Sequence, residues 1–284
     1  MKKKITILGA GGKMGKWFSN YFLEKGYDVI VYDSEADIKG KSFITAKSLV
    51  GAVLNTDYVM LCTPTRRTPE IIRLIAKEMK RGSYIIEISS QKTKTATSLA
   101  KIPLKVNPIC IHPMFGPGTK KIENQNIISV PIKDAKKELA VAKSLFPGAN
   151  FVTIDVVEHD KKIAMILGLT HLINLVFANV ISKDDKISLT EKMSGTTFKV
   201  QKILAESILT ESPDLIETIV SNPEIRKSAE EFWKDLGRIL TYIQEAKSEQ
   251  IIEYVTTCQK ELSKNVNLEE SYKKLTTMVN AIEK

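Results

Sequence analysis

Ile5-Thr6-Ile7-Leu8-Gly9-Ala10-Gly11-Gly12-Lys13-Met14-Gly15 is the stretch that decides the fold. A short apolar strand runs into a cluster of glycines, and a helix-like run follows from Lys16 to Lys25. Gly26 stops that helix, and a second strand, Asp28-Val29-Ile30-Val31-Tyr32, ends on Asp33. A strand that hands over to a helix in so tight a turn can bring backbone N–H groups against a pyrophosphate, with the positive end of the helix behind them. Side chains would block that approach, which is why glycine is favoured there. An acid roughly 20 residues on then meets ribose hydroxyls, and Asp33 lies at that distance.

Two registers fit the glycine fingerprint in part. Counted from Gly9, the pattern takes Gly9 and Gly11 but meets Met14 at its third position. Counted from Ala10, it reads Ala10-x-Gly12-x-x-Gly15, which gives Gly12 and Gly15 the close-approach positions and is the register preferred here. Lys13 completes the loop. With its flanking strand, helix stop and terminal acid, the stretch reads as a dinucleotide site.

The 284 residues suffice for one large or two ordinary domains. An apolar content of 43% with 26% charged residues is that of a globular chain with an ample core. Cys62, Cys110 and Cys258 are odd in number and lack metal-ligand spacing, so neither a disulfide framework nor a metal site is expected. Buried thiols point to a reducing, cytoplasmic setting. The run after Met1-Lys2-Lys3-Lys4 is too short before the glycines to be a signal peptide. The net charge of +9 comes from dispersed lysines with few aromatic residues, so nucleic-acid binding is not expected. A positive field would instead draw in a small dianionic substrate.

Strand and helix patterns alternate along the first half. Tyr58–Cys62 leads to Thr63-Pro64-Thr65, and Thr68-Pro69-Glu70 opens a helix that carries Ile71, Ile72, Leu74, Ile75 and Met79 and stops at Gly82. Tyr84–Ile88 leads into Ser89-Ser90-Gln91-Lys92. Val106–Ile111 closes on His112-Pro113-Met114-Phe115-Gly116-Pro117-Gly118, and Ile127–Val130 and Phe151–Ile154 bracket a helix over Asp134–Leu145. This alternation predicts an α/β fold, a mostly parallel sheet with helices on both faces. Ligands gather at the carboxyl ends of such strands, where Asp33, Thr63, Ser90 and His112 all fall. Beyond about residue 156 only helical periodicity remains, which places a domain boundary near Asp155 and gives domains 1–155 and 156–284. Ile163–Ile181 is apolar over a membrane-spanning length, but Thr170, His171, Asn174 and Asn179 interrupt it. It reads as a core helix covered in part by a second subunit rather than a membrane span.

His112 closes a strand ahead of a Gly/Pro-rich loop facing the expected crevice, where an imidazole can exchange a proton near neutral pH. Gly-Ala-Gly-Gly-Lys-Met-Gly at 9–15, taken with His-Pro-Met-Phe-Gly-Pro at 112–117, resembles the prephenate dehydrogenase family. Ser89-Ser90-Gln91-Lys92 is similar to that family's Ser-Ser-Val-Lys turn, and His159-Asp160, with His171 twelve residues on, to the start of its helical domain.

The resemblance implies a Rossmann-type, doubly wound domain followed by an all-helical dimerisation domain, hence a homodimer. It implies NAD(P)-dependent oxidative decarboxylation of prephenate to 4-hydroxyphenylpyruvate in tyrosine biosynthesis. His112 would take the proton of the ring hydroxyl, Ser90 would bond the same hydroxyl, and His171 would line the pocket. Lys92, Asn174 and Lys202 would meet the substrate. Gly9, Ala10, Gly11, Gly12, Lys13, Met14, Gly15, Asp33, Thr63, Pro64 and Thr65 would hold the cofactor.

The chain departs from the family pattern in two places. His171-x-x-Asn174 stands where many members carry His-x-x-His. The segment Thr197–Lys202 has no arginine, which leaves Lys202 as the stand-in for a carboxylate-binding cation. Asp33 favours NAD over NADP because a carboxylate repels a 2′-phosphate, with Lys39 or Lys41 as the residues that could offset it. Arogenate dehydrogenase is the alternative within the family. A non-catalytic NAD-binding sensor dimer would need the glycine turn and Asp33 but not His112, Ser90 or His171. A β-hydroxyacid dehydrogenase would need a lysine-centred helix motif that Lys183–Lys192 does not supply.

Overall fold

Eight strands form one sheet in the order β3-β2-β1-β4-β5-β6-β7-β8. The computed structural model describes residues 2–38, 40 and 42–282. In chain order the elements are β1 (Lys4–Leu8), α1 (Lys13–Glu24), β2 (Asp28–Tyr32), β3 (Ile44–Thr45), α2 (Leu49–Val53), β4 (Tyr58–Leu61), α3 (Thr68–Glu78) and β5 (Tyr84–Glu87). There follow α4 (Thr93–Ala100), β6 (Asn107–Pro113), β7 (Asn126–Ser129), α5 (Ala135–Leu145), β8 (Asn150–Thr153) and α6 (Val156–Ile163). By its contacts the chain divides into two units, residues 1–163 and 164–284.

The central strands are almost continuously apolar because both faces of the sheet are covered. Ile5, Ile7, Val29, Val31, Met60 and Ile86 turn to one face, where they meet Phe18 and Phe22 of α1 and Phe146 just after α5. Leu8, Val59, Leu61 and Ile85 turn to the other, against Ile72 and Ile75 of α3 and Leu99 of α4. Each of these large side chains gains roughly 2–3 kcal/mol on leaving water, so the two faces hold the sheet rigid beneath its loops. The helix stop at Gly26 is a Schellman turn: φ is +81°, Gly26 N–H donates to Leu23 and Tyr27 N–H to Phe22.

The sheet register aligns the strand ends. Tyr32 lies beside Leu8, Leu8 beside Leu61, Leu61 beside Glu87 and Glu87 beside Cys110. Gly9, Asp33, Thr63, Ser90 and His112 all follow that row within three residues, so the parallel register brings them to one edge.

Three features differ from the sequence-based expectation. β3 and α4 were not anticipated. In addition, β6 runs through His112 to Pro113, two residues past the expected end. The cause is β7, which pairs antiparallel with this segment, placing Ile128 opposite His112 and Ile127 opposite Pro113. His112 is therefore held in a strand rather than carried on a loop.

The second unit is helical: a π-helical stretch Ala164–Leu169, then α7 (Thr170–Ile181), α8 (Ile187–Met193), α9 (Thr196–Ile208), α10 (Pro213–Val220), α11 (Ile225–Gln244), α12 (Ser248–Ser263) and α13 (Leu268–Ile282). Gly168 lets the π-helical stretch pass close to α11, since a Cβ there would lie 2.9 Å from Ile225. Helix Val156–Ile181 is long and apolar enough to cross a membrane, with a mean hydropathy of 1.9 over its most apolar window. Its polar Asn174 is nonetheless bonded within the fold, where Gln201 of α9 donates to it. On α11, Phe232, Trp233, Leu236, Leu240 and Ile243 form an apolar stripe at helical spacing that this chain alone leaves exposed.

Candidate active site

The glycine turn is built by exclusion. Gly9 has φ of +79°, and a Cβ on it would lie 2.4 Å from the Cys62 carbonyl oxygen at the end of β4. A Cβ on Gly15 would lie 2.1 Å from the Gly9 oxygen, so α1 can pack against the turn only at glycine. Gly12, the residue before α1, is different: its nearest neighbour to a Cβ is the Gly9 oxygen at 3.4 Å, and the space beyond is open. The tight turn thus falls on Gly9 rather than in the Ala10 slot of the preferred register. The spacing in three dimensions is Gly9-x-x-Gly12-x-x-Gly15. Ala10 is buried, Met14 packs against the core below α1, and Lys13 is exposed at the first turn of that helix. An open glycine at an uncapped helix start, flanked by two obligatory glycines, fits a bound diphosphate.

Asp33 is tied into the same turn. One carboxylate oxygen accepts the Gly11 N–H at 2.9 Å and the other accepts the N–H groups of Glu35 and Ala36. Burial pushes its carboxyl up, but the three backbone donors outweigh that and hold it below the usual range. A groove lined by Tyr32, Asp33, Ser34, Ile38, Thr45 and Lys47 runs beside it. Lys39 and Lys41 lie outside the described residues. At the next strand end, the Thr63 hydroxyl is 2.9 Å from that of Thr68, Pro64 accepts N–H bonds that start α3, and Thr65 is half-buried.

His112 lies two strands further along the edge and is only 4% exposed. Its Nδ1 is 3.1 Å from His159 Nε2, and His159 Nδ1 is 2.8 Å from Asp160 Oδ1. Asp160 also accepts the backbone N–H of Lys92 at 2.9 Å, that of Thr93 at 3.0 Å and the Thr93 hydroxyl at 2.6 Å, and so caps α4 from a distant part of the chain. Burial opposes ionisation of Asp160, yet the His159, Thr93 and Lys92 donors lower its pKa to about 2. His112 is held well below the ordinary histidine value, first by burial, then by the Lys92 ammonium and the neighbouring His159, with Asp160 pulling the other way. It is therefore neutral at pH 7.

Lys92, expected to meet the substrate, is buried and paired within the protein. It is fully enclosed, its ammonium 2.7 Å from Glu87 Oε2 and 2.6 Å from the Ile111 carbonyl oxygen. Glu87 in turn accepts the Ser89 N–H at 2.6 Å and the Ser89 hydroxyl. The pair fastens the turn after β5 to β6, and half-buried Ser90 is carried on that turn.

In the second unit, His171 Nδ1 lies 2.7 Å from the Leu167 carbonyl oxygen, so it donates there and Nε2 is the nitrogen left to meet another group. Asn174 donates to the Thr170 carbonyl and accepts from Gln201, both at under 3 Å. Lys202 lies between Glu191 at 2.8 Å and Glu206 at 2.5 Å. An anionic substrate would have to compete with both carboxylates for it.

Sequence reasoning missed the roles of Glu87, His159 and Asp160. Glu87 was findable, because an acid inside Ile85-Ile86-Glu87-Ile88 requires a buried partner, and Lys92 is five residues on. His159-Asp160 was visible as a pair, but its contact with a strand 47 residues earlier is tertiary.

Two family models match the chain. Residues 25–154 match the nucleotide-binding domain of prephenate dehydrogenase and residues 155–257 its dimerization domain. The first match begins after the glycine turn. The probable arogenate/prephenate dehydrogenase of Methanocaldococcus jannaschii is 29% identical over 139 residues, 46% of this chain and 31% of that protein. Arogenate dehydrogenase 2 of Arabidopsis thaliana is 27% identical over 126 residues, 42% of this chain and 34% of that protein. The chain thus spans about a third of the length of these relatives. Among solved structures, A. aeolicus prephenate dehydrogenase in complex with hydroxyphenyl propionate and NAD+ superposes with a TM-score of 0.71 at 21% identity, covering 93% of this chain and 98% of that one. Synechocystis arogenate dehydrogenase gives 0.68 at 17% identity, covering 93% and 100%. At these identities the likeness is one of fold.

Proposed function

The chain belongs to the prephenate dehydrogenase family, and we propose that it catalyses the NAD-dependent oxidative decarboxylation of prephenate to 4-hydroxyphenylpyruvate, in tyrosine biosynthesis. The observation that carries this reading is His112, neutral and buried, on the same sheet edge as the glycine turn and Asp33. A base that is unprotonated at pH 7 is what removal of a hydroxyl proton requires.

In this reading Gly9, Gly12 and Gly15 shape the diphosphate cradle and Asp33 accepts the ribose hydroxyls, which favours NAD over NADP. When bound, the dinucleotide supplies the hydride acceptor. His112 takes the ring-hydroxyl proton as hydride departs from the same carbon, and loss of the ring carboxylate as CO2 leaves an aromatic product. Ser90 bonds the same hydroxyl. Within the helical unit, His171, Asn174 and Lys202 are the polar groups offered to a substrate, Lys202 as the positive charge for a carboxylate. The apolar stripe of α11 supports a homodimer, since a stripe with Trp233 74% exposed needs a covering surface.

Arogenate is the second reading, favoured by relatives named for that substrate and by the lack of an arginine in Thr197–Lys202. Both substrates, each with NAD and with NADP, should be assayed for absorbance at the reduced-nicotinamide band. Turnover of prephenate with NAD at least tenfold above the other pairs is expected. Preference for arogenate would replace the substrate. No turnover of either, with NAD still bound, would favour a nucleotide sensor. In the active enzyme, His112→Asn is expected to lower kcat about 100-fold or more while NAD binding stays intact.

A further inference from the structure

Asp160, His159 and His112 form a hydrogen-bonded line with a direction. Its last member is an ionised carboxylate, which can only accept. At 2.8 Å from Asp160, His159 must carry its proton on Nδ1 to donate to it. With that one proton on Nδ1, His159 presents a bare Nε2, and His112 Nδ1, 3.1 Å away, is then the donor. That leaves the lone pair of His112 on Nε2. A neutral imidazole in water prefers the opposite tautomer, so the line would reverse a local preference.

We propose that His159 and Asp160 are positioning residues that hold His112 in the tautomer able to accept a proton through Nε2. The role rests on the reading of His112 as the base. Both nitrogens of His159 are engaged, and the ring is 1% exposed. Asp160 cannot swing away, because the Lys92 N–H, the Thr93 N–H and the Thr93 hydroxyl hold it. The charged and titratable groups that act on His112 are Lys92 at the start of α4 and His159 and Asp160 on α6, with Glu87 of β5 paired to Lys92. When His112 gains a proton at Nε2, its Nδ1–H stays donated to His159, and the new positive charge lies at the head of a line that ends on a carboxylate. The line gains one proton and one unit of charge, and nothing else changes hands.

Ring 15N spectra of the protein, without ligand, test the tautomer directly. In the parent protein His112 should show a protonated Nδ1 and an unprotonated Nε2. His159→Leu should shift it toward the Nε2-protonated form and lower kcat on the order of 100-fold, with KM changed less than threefold. His159→Gln, which can accept from His112 and donate to Asp160, should restore the tautomer and at least a tenth of kcat. An Nε2-protonated ring in the parent, or an unchanged tautomer in His159→Leu, overturns the proposal. If His159→Leu does not fold, the parent spectrum and the Gln variant decide. An inactive parent whose ring nitrogens are ordered as expected would defeat the reaction assigned above while leaving the tautomer control standing.

Discussion

Lys92 and Glu87 meet at 2.7 Å with neither side chain exposed to solvent. Removing one partner of such a pair leaves the other charged and desolvated, a loss of roughly 3–5 kcal/mol. Lys92→Met is therefore expected to lower the unfolding free energy in urea by about 3 kcal/mol, and Lys92→Met with Glu87→Leu to recover much of it. If Lys92→Met leaves stability untouched and raises only the KM for a dianionic substrate, the ammonium meets substrate after all.

Gly12 and Gly15 should separate binding from folding. A Cβ at Gly15 would collide with the Gly9 carbonyl at 2.1 Å, which is rigid backbone, whereas a Cβ at Gly12 faces open space. Gly15→Ala should cost about 3 kcal/mol of stability, the upper range for overpacking. Gly12→Ala should unfold within about 0.5 kcal/mol of the parent yet bind NAD at least about tenfold more weakly, read by titration. Parent-like NAD affinity in Gly12→Ala would remove the cradle.

The sequence made the central sheet legible because its strands are apolar runs, and the glycine turn because its chemistry is local. It did not reveal β3, whose Ile44 and Thr45 are both exposed and carry no apolar pattern. Nor did it reveal α4, the polar, threonine-rich Thr93–Ala100, whose first N–H groups are capped by Asp160, some 67 positions later. The same limit hid the partner of His112. His112 was singled out by its place after a strand, but the antiparallel pairing with Ile128 that fixes it, and the ring of His159 against it, exist only once the chain is folded.

Asp33 should set cofactor choice. Its carboxylate is already ordered by the Gly11, Glu35 and Ala36 amides, so it meets a ribose without rearrangement and repels a 2′-phosphate. Asp33→Ser is expected to lower the ratio of kcat/KM for NAD over NADP at least about tenfold. Because its pKa is held below the usual carboxylate range, NAD affinity should not change from pH 5 to 8 through this group. An unchanged cofactor ratio in Asp33→Ser would move the discrimination elsewhere.

His112 and Asp160 should both make the protein less stable in acid, in different windows. The folded His112 ring resists protonation to well below its ordinary value of 6.5. Unfolded chains take up that proton near pH 6.5, so the stability this group contributes is present above 6.5 and is lost as pH falls toward the folded value. The slope approaches 1.4 kcal/mol per pH unit while only the unfolded ring is protonated. Asp160 follows the same sign for a different reason. Its carboxyl is depressed from 3.8 to about 2, so roughly 2 kcal/mol is present above pH 4 and disappears between there and pH 2. Urea unfolding of the parent and of His112→Asn, from pH 8 to 4 at constant ionic strength, isolates the first window. The parent should lose stability below pH 6.5, and His112→Asn should be flatter there, since the group that takes up the proton on unfolding is gone. Parallel curves for the two proteins would mean that the folded imidazole protonates as easily as the unfolded one. His112 would then be no neutral base at the strand end.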